Sequence, residues 1–226
     1  MNTMLKLSLV FTSIATLALP ALDASAQEVT RMPETSQQSV GLEGGLDDAF
    51  VARATYTHRA DFHFVPDGRI YARFTLPFLA ADAAEWSFDG GVQATLAAAG
   101  NFRLALLVGP TVINSNNALF SSTALGIDGT LLLGYEGPHW GLSSEVGYEQ
   151  IFGAYLHQSD LYRSSYYAGA KNGLYSMPGS TLRAGLRGGV RFGSFELVAK
   201  AGAATTGQLH AVNPPFYGTL GVAFAF

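Results

Sequence analysis

Residues 216–226 read FYGTLGVAFAF, and this closing stretch of the chain alternates strictly between two kinds of side chain. Leu220, Val222, Phe224 and Phe226 fall on one face, whereas the residues between them are small or weakly polar. Successive side chains of a β-strand point to opposite faces, so the stretch predicts a strand with one apolar surface. This pattern is typical of a strand that faces lipid on one side and the inside of a barrel on the other. An edge strand of a soluble sandwich is the alternative, so the rest of the chain has to decide.

The two ends of the chain predict export. The carboxy terminus resembles the assembly signal of bacterial outer-membrane barrels, in which a terminal Phe and alternating apolar residues are recognised by the barrel-assembly machinery. At the other end, residues 5–22 are an apolar run that is followed by Ala24-Ser25-Ala26, the small-x-small pattern that signal peptidase cleaves. A retained helical anchor is the alternative, although no basic flank follows the run. We therefore predict a signal peptide over residues 1–26, a polar periplasmic tail over residues 27–38 and a barrel over residues 39–226.

Composition excludes several classes of protein. Of the 226 residues, 48% are hydrophobic and 13% are charged, which is too apolar for a disordered chain. The net charge is -4 and no basic cluster occurs, so we expect no nucleic-acid partner. The chain has no Cys, which excludes disulfides and thiolate metal sites. A closed sheet is one way for such a chain to be stable, because closure leaves no unpaired strand edge.

From residue 40 onward, alternation broken by turn residues predicts an all-β fold. We expect a single closed antiparallel transmembrane β-barrel of ten strands, with eight or twelve as alternatives. Four turns are short and lie on the predicted periplasmic side: Pro66-Asp67-Gly68, Gly100-Asn101, Gly137-Pro138 and Gly193-Ser194. The connections at residues 79–85, 113–121, 153–178 and 208–215 are longer and polar. Short periplasmic turns and longer extracellular loops are the asymmetry of outer-membrane barrels.

Over residues 39–226 the chain resembles the small single-chain outer-membrane barrels of Gram-negative bacteria, the OmpA-type and OmpX-type transmembrane domains among them. The resemblance is one of pattern and identifies no subfamily. It implies a porin-like barrel in the cell outer membrane, surrounded by outer-membrane lipid and without a cofactor. It also implies the barrel-assembly machinery and periplasmic chaperones as partners during biogenesis.

Ionisable side chains fall on the inward face of the predicted strands. Arg183, Arg187 and Arg191 alternate with apolar residues, so a slip of one residue would turn three arginines to lipid, at about 2–4 kcal/mol each near the midplane. The turns predict Arg191 opposite Glu196 and Asp61 opposite Arg73. The full predicted lumen network is Arg53, Arg59, Asp61, Arg73, Asp89, Arg103, Asp128, Glu145, Glu149, Arg183, Arg187, Arg191, Glu196 and Lys200, and Glu43 is predicted to face inward with them.

Because the two signs nearly balance, we expect these groups to pair and to plug the lumen. The sequence thus predicts an outer-membrane protein with a structural or surface-interaction role. A small passive channel is the alternative, and the arginines of one strand would make its leak weakly anion-preferring.

Catalysis has little support in the sequence. His157-Gln158-Ser159 distantly resembles the His-x-Ser motif of outer-membrane lipid A deacylases, but Asp160 follows where that family has Asn, and no Glu is near. A surface protease of the omptin type would need linked acidic and His-Asp pairs, and Asp47, Asp48, Asp160 and His210 share no motif. We assign no catalytic residue and no metal ligand. An outer-membrane hydrolase acting on lipid A or peptides is the third alternative.

Residues 153–178 are rich in Tyr and Ser. This composition suits an extracellular loop that recognises a ligand, because Tyr provides contact area at low entropic cost. It equally suits tall strands that continue above the membrane, which is the interpretation we favour.

The carboxy-terminal pattern yields the first test. Deleting Phe226 is expected to lower the amount of folded barrel in the membrane, because the last residue of the predicted assembly signal is lost. Heat-modifiable migration on gels measures the folded fraction, and deletion of Gln27 in the predicted tail serves as the control. Unchanged assembly without Phe226 would contradict the assignment of the signal.

Overall fold

In a computed structural model, the chain forms one antiparallel sheet that closes on itself. The structure describes residues 36–47, 49–60, 62, 67–77, 85–176, 179–207 and 215–226. The predicted signal peptide and most of the predicted tail lie outside these residues, as do Asp48, Asp61 and His210. Among the described residues, no helix is long and apolar enough to cross a membrane.

Ten strands form the barrel, as the sequence predicts, and an eleventh short strand extends its wall. The elements are β1 (Gln38–Leu46), β2 (Phe50–Arg59), β3 (Arg69–Pro77), β4 (Trp86–Ala99), β5 (Phe102–Asn116), β6 (Phe120–Glu136), β7 (Trp140–Gln158), α1 (Asp160–Ser165), β8 (Gly173–Tyr175), β9 (Gly179–Phe192), β10 (Phe195–Gly207) and β11 (Phe216–Ala225). The ring runs β1 to β7, then β9, β10 and β11, and returns to β1. The short strand β8 pairs with β7 above β9.

The contact between β1 and β11 closes the ring. Its register runs from Ser39 opposite Ala225 to Leu46 opposite Gly218. At the terminus, the Phe226 amide donates to the carbonyl of Gln38, and the Phe226 carbonyl accepts from the Gln38 amide. The carboxy-terminal residue therefore completes the backbone pairing of the first strand, which leaves neither strand with a free edge there.

The outside of the barrel is apolar around its whole circumference. Every one of the ten barrel strands presents at least one large hydrophobic side chain to the exterior, among them Leu42, Phe88, Leu131, Leu186 and Leu220. Soluble monomers do not expose apolar surface on this scale, whereas a barrel in hydrocarbon must. The exterior therefore identifies a membrane-spanning barrel.

Aromatic side chains gather where the strands meet the short turns. On the outer face of one hairpin, the Phe102 and Tyr135 rings are 5.4 Å apart, and the Tyr135 and Trp140 rings are 4.8 Å apart. Phe192 and Phe195 stand directly opposite each other at the β9–β10 turn. Such rings favour the membrane interface, so this end of the strands marks one boundary of the apolar band.

Three turns use backbone conformations that favour glycine or a short polar residue. Gly100 and Gly193 have φ values of 60° and 61° in the β4–β5 and β9–β10 turns. Asp67 has a φ of 54° between β2 and β3, although it carries a side chain. Asp tolerates this region better than most residues, and here its carboxylate contacts three arginines.

The predicted loop at residues 113–121 was wrong, because β5 runs to Asn116 and β6 begins at Phe120. For residues 153–178 the favoured tall-strand interpretation is confirmed in part, since β7 is 19 residues long and reaches Gln158, and β8 pairs with it. The all-β prediction did not include the six-residue helix α1, which Ser159 caps. Polar residues in these strands stand above the membrane, where hydropathy does not distinguish strand from loop.

The outward face of β9 offers a test of register. Leu186 is exposed at mid-strand, so Leu186→Arg would place a cation against hydrocarbon. The free energy of unfolding is expected to fall by about 2–4 kcal/mol, as for arginine near the bilayer midplane. Urea titration in lipid vesicles measures this change, and Phe192→Arg at the turn end is the control, with an expected cost of about 0–1 kcal/mol. Equal losses at both positions would contradict the placement of the band.

Candidate functional site

Charged side chains of both signs occupy the inside of the barrel and its two ends. Among the described residues, the basic and acidic members are equal in number. The basic members are Arg53, Arg59, Arg69, Arg73, Arg103, Arg183, Arg187, Arg191 and Lys200, and the acidic members are Glu43, Asp47, Asp67, Asp89, Asp128, Glu136, Glu145, Glu149 and Glu196. The interior is therefore highly polar without carrying one dominant sign.

Glu43 is the centre of one group of contacts. Its Oε1 lies 2.5 Å from Lys200 Nζ, and its Oε2 accepts from Thr219 at 3.2 Å and lies 3.5 Å from Arg53 Nη1. Lys200 lies opposite Thr219 in the β10–β11 register, and Glu43 faces them from β1. These contacts therefore join the first, last and penultimate strands of the barrel through side chains as well as through the backbone.

Arg53 also contacts the β1–β2 turn, where its Nη2 lies 2.7 Å from Asp47 Oδ2. Burial by itself raises the pKa of the Asp47 carboxyl, but Arg183 and Arg53 together hold that pKa below its usual value. The Asp47 carboxylate therefore stands as a charged partner of Arg53 at the loop end of the lumen.

Three further arginines form ion pairs between different strands. Arg73 Nε lies 3.2 Å from Asp89 on the adjacent strand, and Arg73 Nη2 lies 3.8 Å from Asp128 on β6. Between the paired strands β9 and β7, Arg183 Nη2 is 3.7 Å from Glu149, and Arg187 Nε is 3.7 Å from Glu145. Ion pairs between different strands compensate for the removal of these groups from water.

Tyr217 reaches across the wall to Glu145. Its hydroxyl donates to Glu145 Oε1 at 2.5 Å, although Tyr217 is on β11 and Glu145 is on β7. In the register of the sheet, Gly202 on β10 and Gly185 on β9 lie between these two residues. A Cβ on Gly202 would lie 2.5 Å from the tyrosine hydroxyl, so the ring occupies the space that these glycines leave open.

At the turn end, one carboxylate contacts three guanidinium groups. Asp67 contacts Arg69 at 2.8 Å, Arg103 at 3.6 Å and Arg59 at 3.7 Å. Arg103 Nε also lies 2.8 Å from Glu136 Oε2. These contacts cover the lumen at the end where the turns are short.

Between the two charged ends, one part of the inner wall is closely packed. Tyr71, Ala105, Leu107 and Leu132 form a buried apolar cluster on the inner face of β3, β5 and β6. Gln93 is 0% exposed and Arg69 is 1% exposed beside this cluster. Solvent therefore does not reach these inward side chains.

At the loop end of the lumen a vestibule opens. It has a cavity volume of ≈ 230 Å³, with a narrower cavity of ≈ 50 Å³ beneath it. Residues that line the upper cavity include Asp47, Glu85, Trp86, Asp89 and Glu149. Residues that line the lower cavity include Glu145, Arg187, Lys200 and Tyr217, and both cavities share Asp47, Arg53, Arg73 and Arg183. The basic groups therefore concentrate toward the floor of the vestibule.

The predicted hairpin pairs had different outcomes. Arg191 lies opposite Glu196, with Nη2 3.2 Å from Oε1, as predicted. The expected opposition of Asp61 and Arg73 was wrong, because Arg73 lies opposite Thr55. The last register pair of the hairpin is Arg59 and Arg69. The predicted three-residue turn at Pro66-Asp67-Gly68 therefore placed β2 and β3 several residues out of their actual register.

Four charged residues of the lumen were missing from the sequence prediction. Asp47 and Asp67 stand in turns, where acidic residues usually face solvent, and Arg69 and Glu136 stand at strand ends. The sequence does indicate the last two, because Arg69 and Glu136 occupy the same alternate positions as the inward-facing residues of β3 and β6. Strand ends are also where the predicted boundaries were least certain.

The histidine motif makes no Ser–His contact in the structure. His157 Nδ1 lies 2.9 Å from Asn172 Nδ2. Ser159 Oγ instead donates to the Ala118 carbonyl and accepts from the Tyr162 amide as the cap of α1. Within the part of the chain that the structure describes, no group of three His, Asp or Glu residues has the geometry to hold a metal.

Comparisons with known proteins extend no further than the fold. No protein-family model matches the chain, and no curated protein matches it either. A solved structure of a KdgM porin in complex with disordered oligogalacturonate is similar at 11% identity and a TM-score of 0.39, covering 83% of this chain and 99% of that chain. A second KdgM porin structure is similar at 9% identity and a TM-score of 0.37, with the same coverage.

The bond between Tyr217 and Glu145 is testable by removing one oxygen. Tyr217→Phe is expected to lower the free energy of unfolding by about 1–3 kcal/mol, because a buried carboxylate loses a hydrogen-bond donor. Urea titration in lipid vesicles measures the loss. Tyr56→Phe is the matched control, since the Tyr56 hydroxyl bonds to Gln38 at an exposed position. Losses of the same size in both variants would contradict a special role for the buried bond.

Proposed function

We propose that the protein is an integral outer-membrane barrel that acts at the cell surface and holds its lumen closed. One observation carries the proposal, namely the solvent-inaccessible cluster of Tyr71, Leu107, Leu132 and Gln93 on the inner wall below the vestibule. A pore needs a continuous water-filled path, and close packing of inward side chains supports a lumen without one. The outward apolar band and the predicted export signal support the location.

The balance of charge supports the same proposal. Pores that select ions use rings of one sign, whereas here ion pairs between strands join opposite signs throughout the lumen. Pairing offsets the cost of holding charged groups in a narrow space of low dielectric constant. A charge network of this kind stabilises the barrel and blocks the lumen at the same time.

A small passive channel is the second candidate, and the vestibule favours it. Arg183, Arg187 and Lys200 lie toward its floor, so an opening past the packed cluster would prefer anions. The channel requires Leu107 and Leu132 to move aside, whereas the surface protein does not.

An enzymatic role is not included in the proposal. His157 and Ser159 make contacts that hold the loop end together, and neither contact joins the two side chains. The Tyr-rich tip beyond β7 is a better candidate for contact with an extracellular ligand.

Conductance in planar bilayers separates the two candidates. The unmutated protein is expected to show little steady conductance, and Leu107→Ala with Leu132→Ala is expected to raise it by loosening the packed cluster. Leu106→Ala with Leu131→Ala is the matched control, because these leucines are neighbours on the same strands and Leu131 is exposed on the lipid face. Large, stable, anion-selective openings in the unmutated protein would overturn the closed lumen and favour the channel.

A further inference from the structure

Arg183 differs from the other arginines of the vestibule in its bonding. Arg53, for example, donates a hydrogen bond of 2.7 Å to Asp47. The Arg183 guanidinium makes no hydrogen bond to any residue that the structure describes, and its ion pair with Glu149 spans 3.7 Å from Nη2 to Oε2. That separation exceeds the length of a hydrogen bond, so the five N–H donors of Arg183 are available to a molecule in the cavity.

The register of the sheet explains why Arg183 lacks these bonds. Its strand, β9, lies between β7 and β10, where the residues opposite Arg183 are Gly147 and Ala204. Neither has a polar side chain, whereas Arg191 on the same strand lies opposite Glu196 and pairs with it. The Arg183 side chain is 28% exposed, and its guanidinium carries a permanent charge. It is therefore a solvated cation with unused donors on the wall of a cavity.

Glu85 is the corresponding carboxylate. It lies directly before β4 and occupies the same alternate positions as Ser87 and Asp89, which also line the vestibule. Asp89 accepts a hydrogen bond from Arg73, but Glu85 has neither an ion pair nor a hydrogen bond within the described part of the chain. Four carboxylates and three arginines line the vestibule in all, namely Asp47, Glu85, Asp89 and Glu149 with Arg53, Arg73 and Arg183.

The two unbonded charges lie at different depths. Arg183 lines both the vestibule and the narrower cavity beneath it, whereas Glu85 lines the vestibule. The lining of the lower cavity is mainly basic, with Arg53, Arg73, Arg183, Arg187 and Lys200 against Asp47 and Glu145. A molecule in the vestibule therefore meets a basic floor and a more acidic upper wall. This field orients a dipolar molecule with its negative end toward the floor.

The size of the vestibule restricts what can enter it. Its volume of ≈ 230 Å³ is below the roughly 300–1,000 Å³ of sites for drug-sized ligands. It is nevertheless several times the roughly 30 Å³ that one molecule occupies in liquid water. The cavity therefore suits a polar molecule of about ten non-hydrogen atoms or fewer.

We propose that the vestibule binds a small zwitterion, a molecule with a carboxylate at one end and an ammonium group at the other. The carboxylate accepts two parallel hydrogen bonds from Arg183, because guanidinium and carboxylate groups share this geometry. The ammonium group donates to Glu85 in the upper wall. Each end thus pairs with a charged side chain that has no hydrogen bond within the described residues.

Ligands with a single charge fit this site less well. An anion would pair with Arg183 but would leave Glu85 unpaired beside three other carboxylates. A cation would pair with Glu85 but would leave the donors of Arg183 unused above a basic floor. A zwitterion satisfies both groups and adds no net charge to a lumen in which the two signs are balanced.

Trp86 provides a measurement of binding, because it lines the vestibule and the sequence has two Trp. Trp140→Phe leaves Trp86 as the sole source of tryptophan emission in the protein. In lipid nanodiscs, this protein is titrated with glycine, 4-aminobutyrate and 6-aminohexanoate, which differ in the separation of their charges. The best of the three is expected to bind about tenfold or more tightly than the carboxylic acid and the amine of the same chain length.

Two variants assign the ends of the ligand. Arg183→Gln is expected to weaken binding of the zwitterion about tenfold or more, because the carboxylate loses its charged partner. Glu85→Gln is expected to weaken binding of the zwitterion to a similar extent without weakening binding of the matching carboxylic acid, which has no ammonium group. Arg191→Gln is the matched control, since it removes the same charge from β9 at the turn end. Heat-modifiable migration checks that each variant is folded.

The outcomes that overturn the proposal are specific. They are a carboxylic acid that binds as tightly as the zwitterion, unchanged affinity in Arg183→Gln or Glu85→Gln, an equal loss in Arg191→Gln, and no saturable binding of any of the three zwitterions by fluorescence and calorimetry. The site requires the vestibule and does not depend on closure of the lumen beneath it. A conducting protein that binds the zwitterion would contradict the closed lumen alone, and a closed protein that does not bind it would contradict this site alone.

Discussion

The cost of placing a charge or an unpaired peptide group in hydrocarbon governs this barrel. The backbone avoids that cost through closure, in which β11 returns to β1 and the terminal Phe226 pairs with Gln38. The side chains avoid the same cost through alternation along each strand, which turns ionised groups inward and apolar groups outward. Both solutions depend on the same register, so the exterior and the lumen are specified together.

The inward placement of charge creates a second problem, which the lumen solves by pairing. Arginines from β2, β3 and β9 contact carboxylates on other strands, and Lys200 contacts Glu43 across the closing seam. Glycines at Gly185 and Gly202 leave the space through which Tyr217 adds one more bond between distant strands. The interior thus resembles a packed core built mainly from polar groups, with an apolar layer at Leu107 and Leu132.

Unequal wall heights separate two parts of the surface. The short wall of β1 to β3 ends near the membrane, whereas β6, β7 and β8 rise above it and hold α1 at their tip. The vestibule opens at the loop end, where Asp47 and Arg53 from the short wall and Glu149 from the tall wall line it.

The sequence by itself determined the fold class, the ten barrel strands and the faces of most residues, because a two-residue period in a membrane has only one solution with low energy. It also predicted Arg191 opposite Glu196, since a tight turn sets register locally. Tertiary structure alone decided that Asp47 and Asp67 in the turns contact the arginines of the lumen, and that β2 and β3 pair out of the predicted register. These features depend on which strands become neighbours and where each emerges from lipid, and neither property is encoded within a single strand.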